Sequence, residues 1–393
     1  MANTLLTPSM ITKEALRILH QKLTFIGSIN REYDDSFAKS GAKIGDTLRI
    51  RTPNKYVVRT GAVMQAQDTT EKNTTLQVNN QKGVDLNFSS VDLSLSLDDF
   101  SKRIIEPAMA RLAAELEKDA FSMYKDVANL VGTAGNVPNA LKTYLQANQK
   151  LADNLAPSND RYIQATTDAQ VEIIDSLKGL FNAQTELNKQ YREGVMGRAA
   201  GLDWYQNTLA PTHTNGTQNG TFTVNGASQT GTSLTVSGNT GTLTKGTVFT
   251  IAGVFAVHPE TGDVTSKLQQ FVVTSDASAS QATLSIYPAI TTSGAYRTVG
   301  TSPANGAVVT VVSGAASTGY GQNIVYQKDA FTFATADLVM PSGVDFSSRQ
   351  TYDGISMRVV RDYDINNDQF PCRLDVLYGF KTLRPELACR VTN

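Results

Sequence analysis

The chain has 393 residues, 18% of them charged, with a formal net charge of -1. That length allows two or three domains and a sizeable core, while near-zero charge excludes a strong overall field that would capture nucleic acid or an anionic membrane. The apolar runs fall short of the ~20 residues a membrane span needs, and residues 1 to 26 lack a signal peptide's apolar core, so a soluble protein made in a cytoplasm is expected.

From Ile11 to Ile26, Ile11, Ala15, Leu19, Leu23 and Ile26 recur at helical spacing with Lys13, Arg17, His20 and Lys22 among the polar positions. This predicts a mildly basic amphipathic helix, packed on its own domain or serving as a partner-binding arm. Between 41 and 97 the period changes to two. Leu48 and Ile50 alternate with Thr47, Arg49 and Arg51, and Val84, Leu86 and Phe88 alternate with Asp85 and Asn87, on either side of a polar stretch from Gln65 to Thr75. A long hairpin arm fits this pattern, and because an isolated hairpin is marginal in water it predicts a partner subunit.

Asp98 and Asp99 place carboxylates at a helix start, and after Pro107 come Met109, Leu112, Ala113, Leu116, Ala120, Met123, Val127 and Leu130 at spacings of three and four. One helix from Pro107 to Val131 would span roughly 37 Å. Gly132 and Gly135 stop it. Helical patterns return at Ala140 to Asn154 and Asp168 to Leu187, around a strand-like Arg161 to Ala165.

Residues 212 to 325 hold only six charged side chains, yet contain 15 of the 29 glycines and 35 Ser or Thr residues. The shift in composition marks an all-β module inserted into a continuous scaffold. Ser233 to Ser237, Thr247 to Ile251, Phe271 to Thr274, Thr283 to Tyr287 and Ala307 to Val312 read as closely spaced strands of a small barrel or sandwich. Asn225-Gly226 and Asn305-Gly306 read as tight hairpin turns with positive φ at both central positions.

No motif for catalysis emerges, and no catalytic, cofactor-binding or metal residues are assigned. There is no phosphate-binding glycine loop, and His20, His213 and His258 lie on separate segments without companions at ligand spacing. Ser122 to Lys125 matches a Ser-x-x-Lys pair, but it falls in a helical pattern with no companion motif. Asp362 to Asp368 begins like a calcium loop and then fails: its sixth position is Asn367 instead of glycine and its twelfth is Arg373 instead of glutamate. Asn73-Thr74-Thr75, Asn215-Gly216-Thr217 and Asn219-Gly220-Thr221 spell glycan acceptors that carry no meaning without a secretory signal. Cys372 and Cys389 form neither a disulfide framework nor a zinc cluster, and free buried thiols are expected.

Three stretches resemble the major capsid proteins of tailed bacteriophages: Asp98-Asp99-Phe100-Ser101-Lys102-Arg103-Ile104-Ile105-Glu106-Pro107-Ala108 leading into the long helix; Gly194-Val195-Met196-Gly197-Arg198-Ala199-Ala200-Gly201-Leu202-Asp203-Trp204-Tyr205; and Asp353 to Val359 followed by Leu377-Tyr378-Gly379-Phe380-Lys381-Thr382-Leu383-Arg384-Pro385-Glu386. The last is the most specific. Val325 to Pro341 is similar to the family's re-entry strand, and Leu243 to Val254 resembles the opening of the extra β-barrel carried by a subset of short-tailed-phage coat proteins.

The resemblance implies an α+β chain with the Hong Kong 97-like capsid fold. Its parts would be an N-terminal arm at 1–40, an extended β-hairpin loop at 41–97, a spine helix at 98–135 that forms a peripheral domain with 326–362, an axial domain at 136–211 and 363–393, and an inserted barrel at 212–325. It implies a non-enzymatic virion subunit that builds hexamers and pentamers of an icosahedral shell around double-stranded DNA. The partners implied are copies of itself, a portal protein at one vertex, and a scaffolding protein encoded separately, since the hairpin begins too early for an internal scaffold. No membrane partner, cofactor or cross-linking Lys and Asn pair is implied. A β-rich adhesin or other tail or virion surface protein is the alternative suggested by the Gly, Ser and Thr-rich insert.

Overall fold

The structure, a computed structural model, describes residues 8–32, 47–64, 66–68, 71–89, 104–177, 197–352, 354–366 and 369–393. They form two compact units, one from 1–51, 73–120 and 331–383, the other from 52–72, 121–330 and 384–393.

The first unit is built on a five-stranded antiparallel sheet. Its central strand, Gln369–Thr382, pairs along one edge with Asn80–Ser89 and along the other with Ile355–Arg361 and Phe331–Ala336. Phe346–Tyr352 completes it beside Ile355–Arg361. The helix Pro8–Lys22 lies against these last two strands, burying Ala15, Leu16, Ile18 and Leu19 while Lys13, Arg17 and Lys22 stay exposed. The basic helix is therefore packed on its own unit. A short helix, Phe25–Ser28, follows. Its first N–H groups are received by Glu117, a carboxylate only 2% exposed, which accepts from the backbone N–H of Thr24 and from that of Phe25 at 2.7 Å.

The hairpin differs from the one the alternation predicts. Thr47–Arg51 pairs with Asn73–Gln77, and the run containing Val84 and Leu86 joins the five-stranded sheet instead. Ile50 and Leu76 are buried in a cluster with Val78, Ala334, Ala336, Leu338 and Leu377, so the hairpin base has a core of its own to rest on. Gly379 permits this approach: a Cβ there would sit 2.2 Å from the Gln77 carbonyl oxygen. The long helix also differs. It runs from Glu106 to Phe121, about 24 Å, tightens into a 3-10 turn over Ser122–Asp126, and ends where Val127 turns extended. Val127, Ala128 and Leu130 are all buried, the last two against the barrel's Val248 and Val272, so the apolar pattern continues although the helix does not.

The second unit joins a seven-stranded mixed sheet to a closed six-stranded barrel. In the sheet, Gly319–Gln327 pairs with Ala388–Thr392 on one side, Arg161–Ala165 on the other, and Thr212–Thr214 at its start. Leu130–Val131 and Leu202–Gln206 add parallel neighbours. The helices Leu141–Asp153 and Thr167–Leu177 flank the strand between them as the periodicity predicts, and the helical pattern beyond 177 lies outside the described residues.

The barrel strands, in spatial order, are Gly231–Ser237, Thr283–Ile290, Val264–Val273, Val248–Val257, Val308–Val311 and Phe222–Val224. Inward Leu234, Val236, Phe249, Ile251, Phe271, Leu284, Ile286 and Val309 belong to one buried cluster of sixteen residues, which gives this module its own core. Three sequence boundaries shift. Both ends of the low-charge stretch, Thr212–Thr214 and the strand from Gly319, belong to the sheet and not the barrel. Residues 369–382 sit with the 331–361 strands, so the C-terminal segment divides after 383 instead of at 362. Finally, in each Asn-Gly pair the glycine alone takes positive φ, 99° at Gly226 and 76° at Gly306, and the Phe222–Val224 strand reaches Gly231–Ser237 through a six-residue loop instead of a two-residue turn.

Candidate functional site

A module so poor in charge needs a specific attachment, and the second unit supplies one along the seam between barrel and sheet. Apolar contact comes from Ala128 and Leu130 against Val248 and Val272, with Tyr287 and Val312 packed beside them. Gln270 then works as a clasp. Its Oε1 accepts from the Leu130 N–H at 3.0 Å and from Lys150 Nζ at 2.9 Å, while its Nε2 donates to the Leu130 carbonyl at 2.9 Å. The barrel thereby borrows backbone groups of the strand Leu130–Val131. Burial pushes the Lys150 ammonium below its ordinary pKa, which makes the Gln270 oxygen a needed partner.

Ion pairs and a tyrosine extend the seam. Lys245 meets Asp126 at 2.9 Å and Lys267 meets Asp153 at 2.6 Å. Tyr287 donates to Glu386 Oε2 at 3.2 Å, and burial followed by the Glu386 charge raises the phenol well above its usual range. Glu386 in turn accepts from Arg384 Nε at 3.1 Å, and Asn129 Nδ2 donates to the Glu386 and Ala388 carbonyls. The Arg384-Pro385-Glu386 stretch is thus a 3-10 turn over Pro385–Leu387 that holds the barrel to the last strand. Deeper in, Arg390 Nη2 donates to the Gly246 carbonyl at 2.7 Å, and His213 Nδ1 lies 3.2 Å from the Tyr124 hydroxyl. Gly246 has φ of +98°, and a Cβ on it would fall 3.1 Å from the His213 ring.

A second feature is an exposed apolar group on the loop of the hairpin. Tyr56, Val57, Val58, Val63 and Met64 are between 50% and 92% exposed. The loop is internally braced: Val57 donates its N–H to Gln67 Oε1 at 2.9 Å, and Gln67 Nε2 donates back to the Val57 carbonyl. Lys72 lies over the Tyr296 ring at 3.5 Å. Single exposed apolar residues need no explanation, but five within nine positions of one braced loop suit an interface.

The residues weighed for chemistry are not brought together. His20 packs edge-on to Tyr352, His258 receives the N–H groups of Glu260 and Thr261 in a turn, and His213 is buried at the seam. Asp364 accepts the Asn366 N–H as part of a turn, with Asn367 and Asp368 outside the described residues. Ser122 opens the 3-10 turn that also carries Lys125. Cys372 and Cys389 are buried free thiols, each pushed up to about 12 by burial. Among the described residues no group of three or more His, Cys, Asp or Glu side chains is arranged to hold a metal, and no helix is long and apolar enough to cross a membrane. Gln270 and Glu117, which hold the most demanding positions, were not singled out from the sequence. A Gln in an alternating strand and a Glu in a helix carry no local sign of a distant partner.

None of the curated proteins compared with the chain matches it. Among solved structures, one from Mycobacterium phage Che8 aligns at 11% identity with a TM-score of 0.48, covering 94% of this chain and 90% of that one. The capsid of Ralstonia phage GP4 aligns at 7% identity and a TM-score of 0.46 over 95% and 91% of the two chains. The mature capsid of bacteriophage PhiM1 aligns at 10% and 0.44 over 88% and 81%. The family described as P22 coat protein, gene protein 5, matches residues 58–390, a span that takes in Val58, Val63 and Met64 of the exposed loop, the whole barrel and most of both flanks. The chain belongs to this family and is a tailed-phage major capsid protein, a structural subunit of the shell with the capsid fold that its terminal motif announces.

Proposed function

We propose that this coat protein assembles as hexamers and pentamers into an icosahedral shell enclosing double-stranded DNA. It does so in the bacterial host cytoplasm on a separately encoded scaffolding protein, around a portal at one vertex, and without catalytic activity of its own. The hairpin that includes 47–77 serves as the extended loop, and the barrel stiffens the subunit and bridges capsomers by its outward loops.

The carrying observation is the braced loop with Val58 at 92%, Met64 at 80% and Val63 at 79% exposure, on a hairpin whose base already buries Ile50 and Leu76. Such a loop gains by burial against another copy, at about 25 cal/mol per Å² of apolar surface removed from water. The near-neutral chain lets many copies pack without self-repulsion. The test is the double substitution Val58→Asp and Met64→Asp. Stability of the isolated subunit is expected to stay within about 0.5 kcal/mol, while closed shells seen by electron microscopy after co-expression with scaffold disappear. Normal shells from the variant would remove the hairpin from the interface.

A further inference from the structure

Four Asn-Gly pairs occur in the chain, at 215–216, 219–220, 225–226 and 305–306, all within the low-charge stretch. Such a pair can react with itself, because glycine has no Cβ to keep its backbone nitrogen away from the preceding side-chain amide. Attack requires that nitrogen to be free of other bonds and the amide to be free to turn toward it.

Three of the pairs are blocked, each by its own contacts. Asn215 is 5% exposed; its Nδ2 donates to the Ser313 and Ala315 carbonyls at 3.1 and 3.0 Å, and its Oδ1 accepts from Ser313 Oγ at 2.9 Å. The Gly226 N–H donates to Asn305 Oδ1 at 2.8 Å, which occupies the nitrogen of one pair and the amide of another. The Gly306 N–H donates to the Val224 carbonyl, also at 2.8 Å. Asn219 and Gly220 differ. Both are exposed, and among the described residues neither the Asn219 amide nor the Gly220 N–H makes a hydrogen bond. Nothing lies within 4 Å of the place a Gly220 Cβ would take. The chain is held only to either side of the pair. The Gln218 N–H donates to the Thr242 carbonyl at 3.1 Å and its Oε1 accepts from the Gly241 N–H at 2.8 Å, while Phe222 opens a barrel strand.

We infer that Asn219 is a site of self-modification with water as its only co-reactant. The Gly220 nitrogen loses its proton and bonds to Asn219 Cγ, the Cγ–Nδ2 bond breaks, and the nitrogen leaves with that proton as ammonia. Water then opens the cyclic imide at either carbonyl, giving aspartate or isoaspartate. Either product adds a carboxylate to a stretch with only six charged side chains. Isoaspartate also carries the backbone through the former side chain, which lengthens the link between Gln218 and Phe222 by a methylene.

The experiment ages the folded full-length subunit in mildly alkaline buffer and follows each pair by peptide mass spectrometry, with isoaspartyl methyltransferase labelling the isoaspartate. Asn219 is expected to convert at least about fivefold faster than each of the other three, the factor that one net hydrogen bond is worth. In urea the four rates should converge. Asn305→Ala, a change in an exposed turn, frees the Gly226 N–H and should speed conversion of Asn225 by about the same factor. Conversion of Asn219 no faster than that of the other pairs in the folded protein would overturn the inference. So would an advantage of Asn219 that persists in urea, or an Asn225 rate unchanged by Asn305→Ala, since the fold would then not govern the choice.

Discussion

Replacing Gln270 by methionine keeps the length of the side chain and removes every polar contact it makes across the seam. Three bonds go: two with the Leu130 backbone, at 3.0 and 2.9 Å, and one from Lys150 at 2.9 Å. Neutral bonds contribute about 0.5 to 1.5 kcal/mol net and those to a charged group about 1.5 to 3. Because Gln270 is half-buried, water recovers part of this sum. The expected loss is about 2 to 3 kcal/mol. With a urea slope of about 2 to 3 kcal/mol per molar for a body of this size, the midpoint should fall by about 1 M. The double-mutant cycle with Lys150→Met isolates the charged bond, with an expected coupling of about 1 to 2 kcal/mol. A midpoint shift under about 0.2 M would refute the view that the barrel strengthens the subunit through this clasp.

The remaining expectations concern buried polar groups. Glu117→Ala should cost about 3 kcal/mol by stranding the N–H groups of Thr24 and Phe25, read as a lower thermal midpoint with early proteolysis near residues 24–30. His213 titrates at about 3 when folded against an ordinary 6.5. The unfolded chain thus binds more protons between those values, and stability should fall by about 1.4 kcal/mol per pH unit as pH drops below 6.5, a slope that His213→Asn should remove. The thiols behave oppositely: with folded values near 12, stability should decline as pH rises above about 9. A thiol reagent at pH 8 should label neither Cys372 nor Cys389 until urea opens the chain.

What could be read from the sequence was what local pattern encodes. The alternation of Leu234 and Val236, or of Phe249 and Ile251, specifies a strand with one buried face, and five such uncharged runs point to a small barrel or sandwich. The Tyr378-Gly379 pair marked the family, and the close approach of the Gln77 backbone to Gly379 gives that glycine a physical reason. Pairing between distant segments was not readable. Asp85 and Leu86 alternate equally well whether their partner is the hairpin strand or Arg373 and Cys372, and the choice is made by the whole sheet. The helix end differs for a related reason: Leu130 fits the helical period, yet its burial comes from Val248 and Val272, more than a hundred residues away. The seam itself is polar and long-range, so Gln270, Glu386 and Arg390 gave no signal of their roles.

The barrel leaves the sheet at Thr212–Thr214 and returns at Gly319–Gly321, where these two segments lie side by side in antiparallel register. A ladder that receives both ends of an excursion tolerates additions at its far end, provided the two ends stay in step. The same doorway therefore suits a graft. A foreign peptide or enzyme spliced within the exposed turn at 258–263 would inherit this anchorage and leave the Gln270 clasp in place, so that each shell would carry the passenger in as many copies as it has subunits.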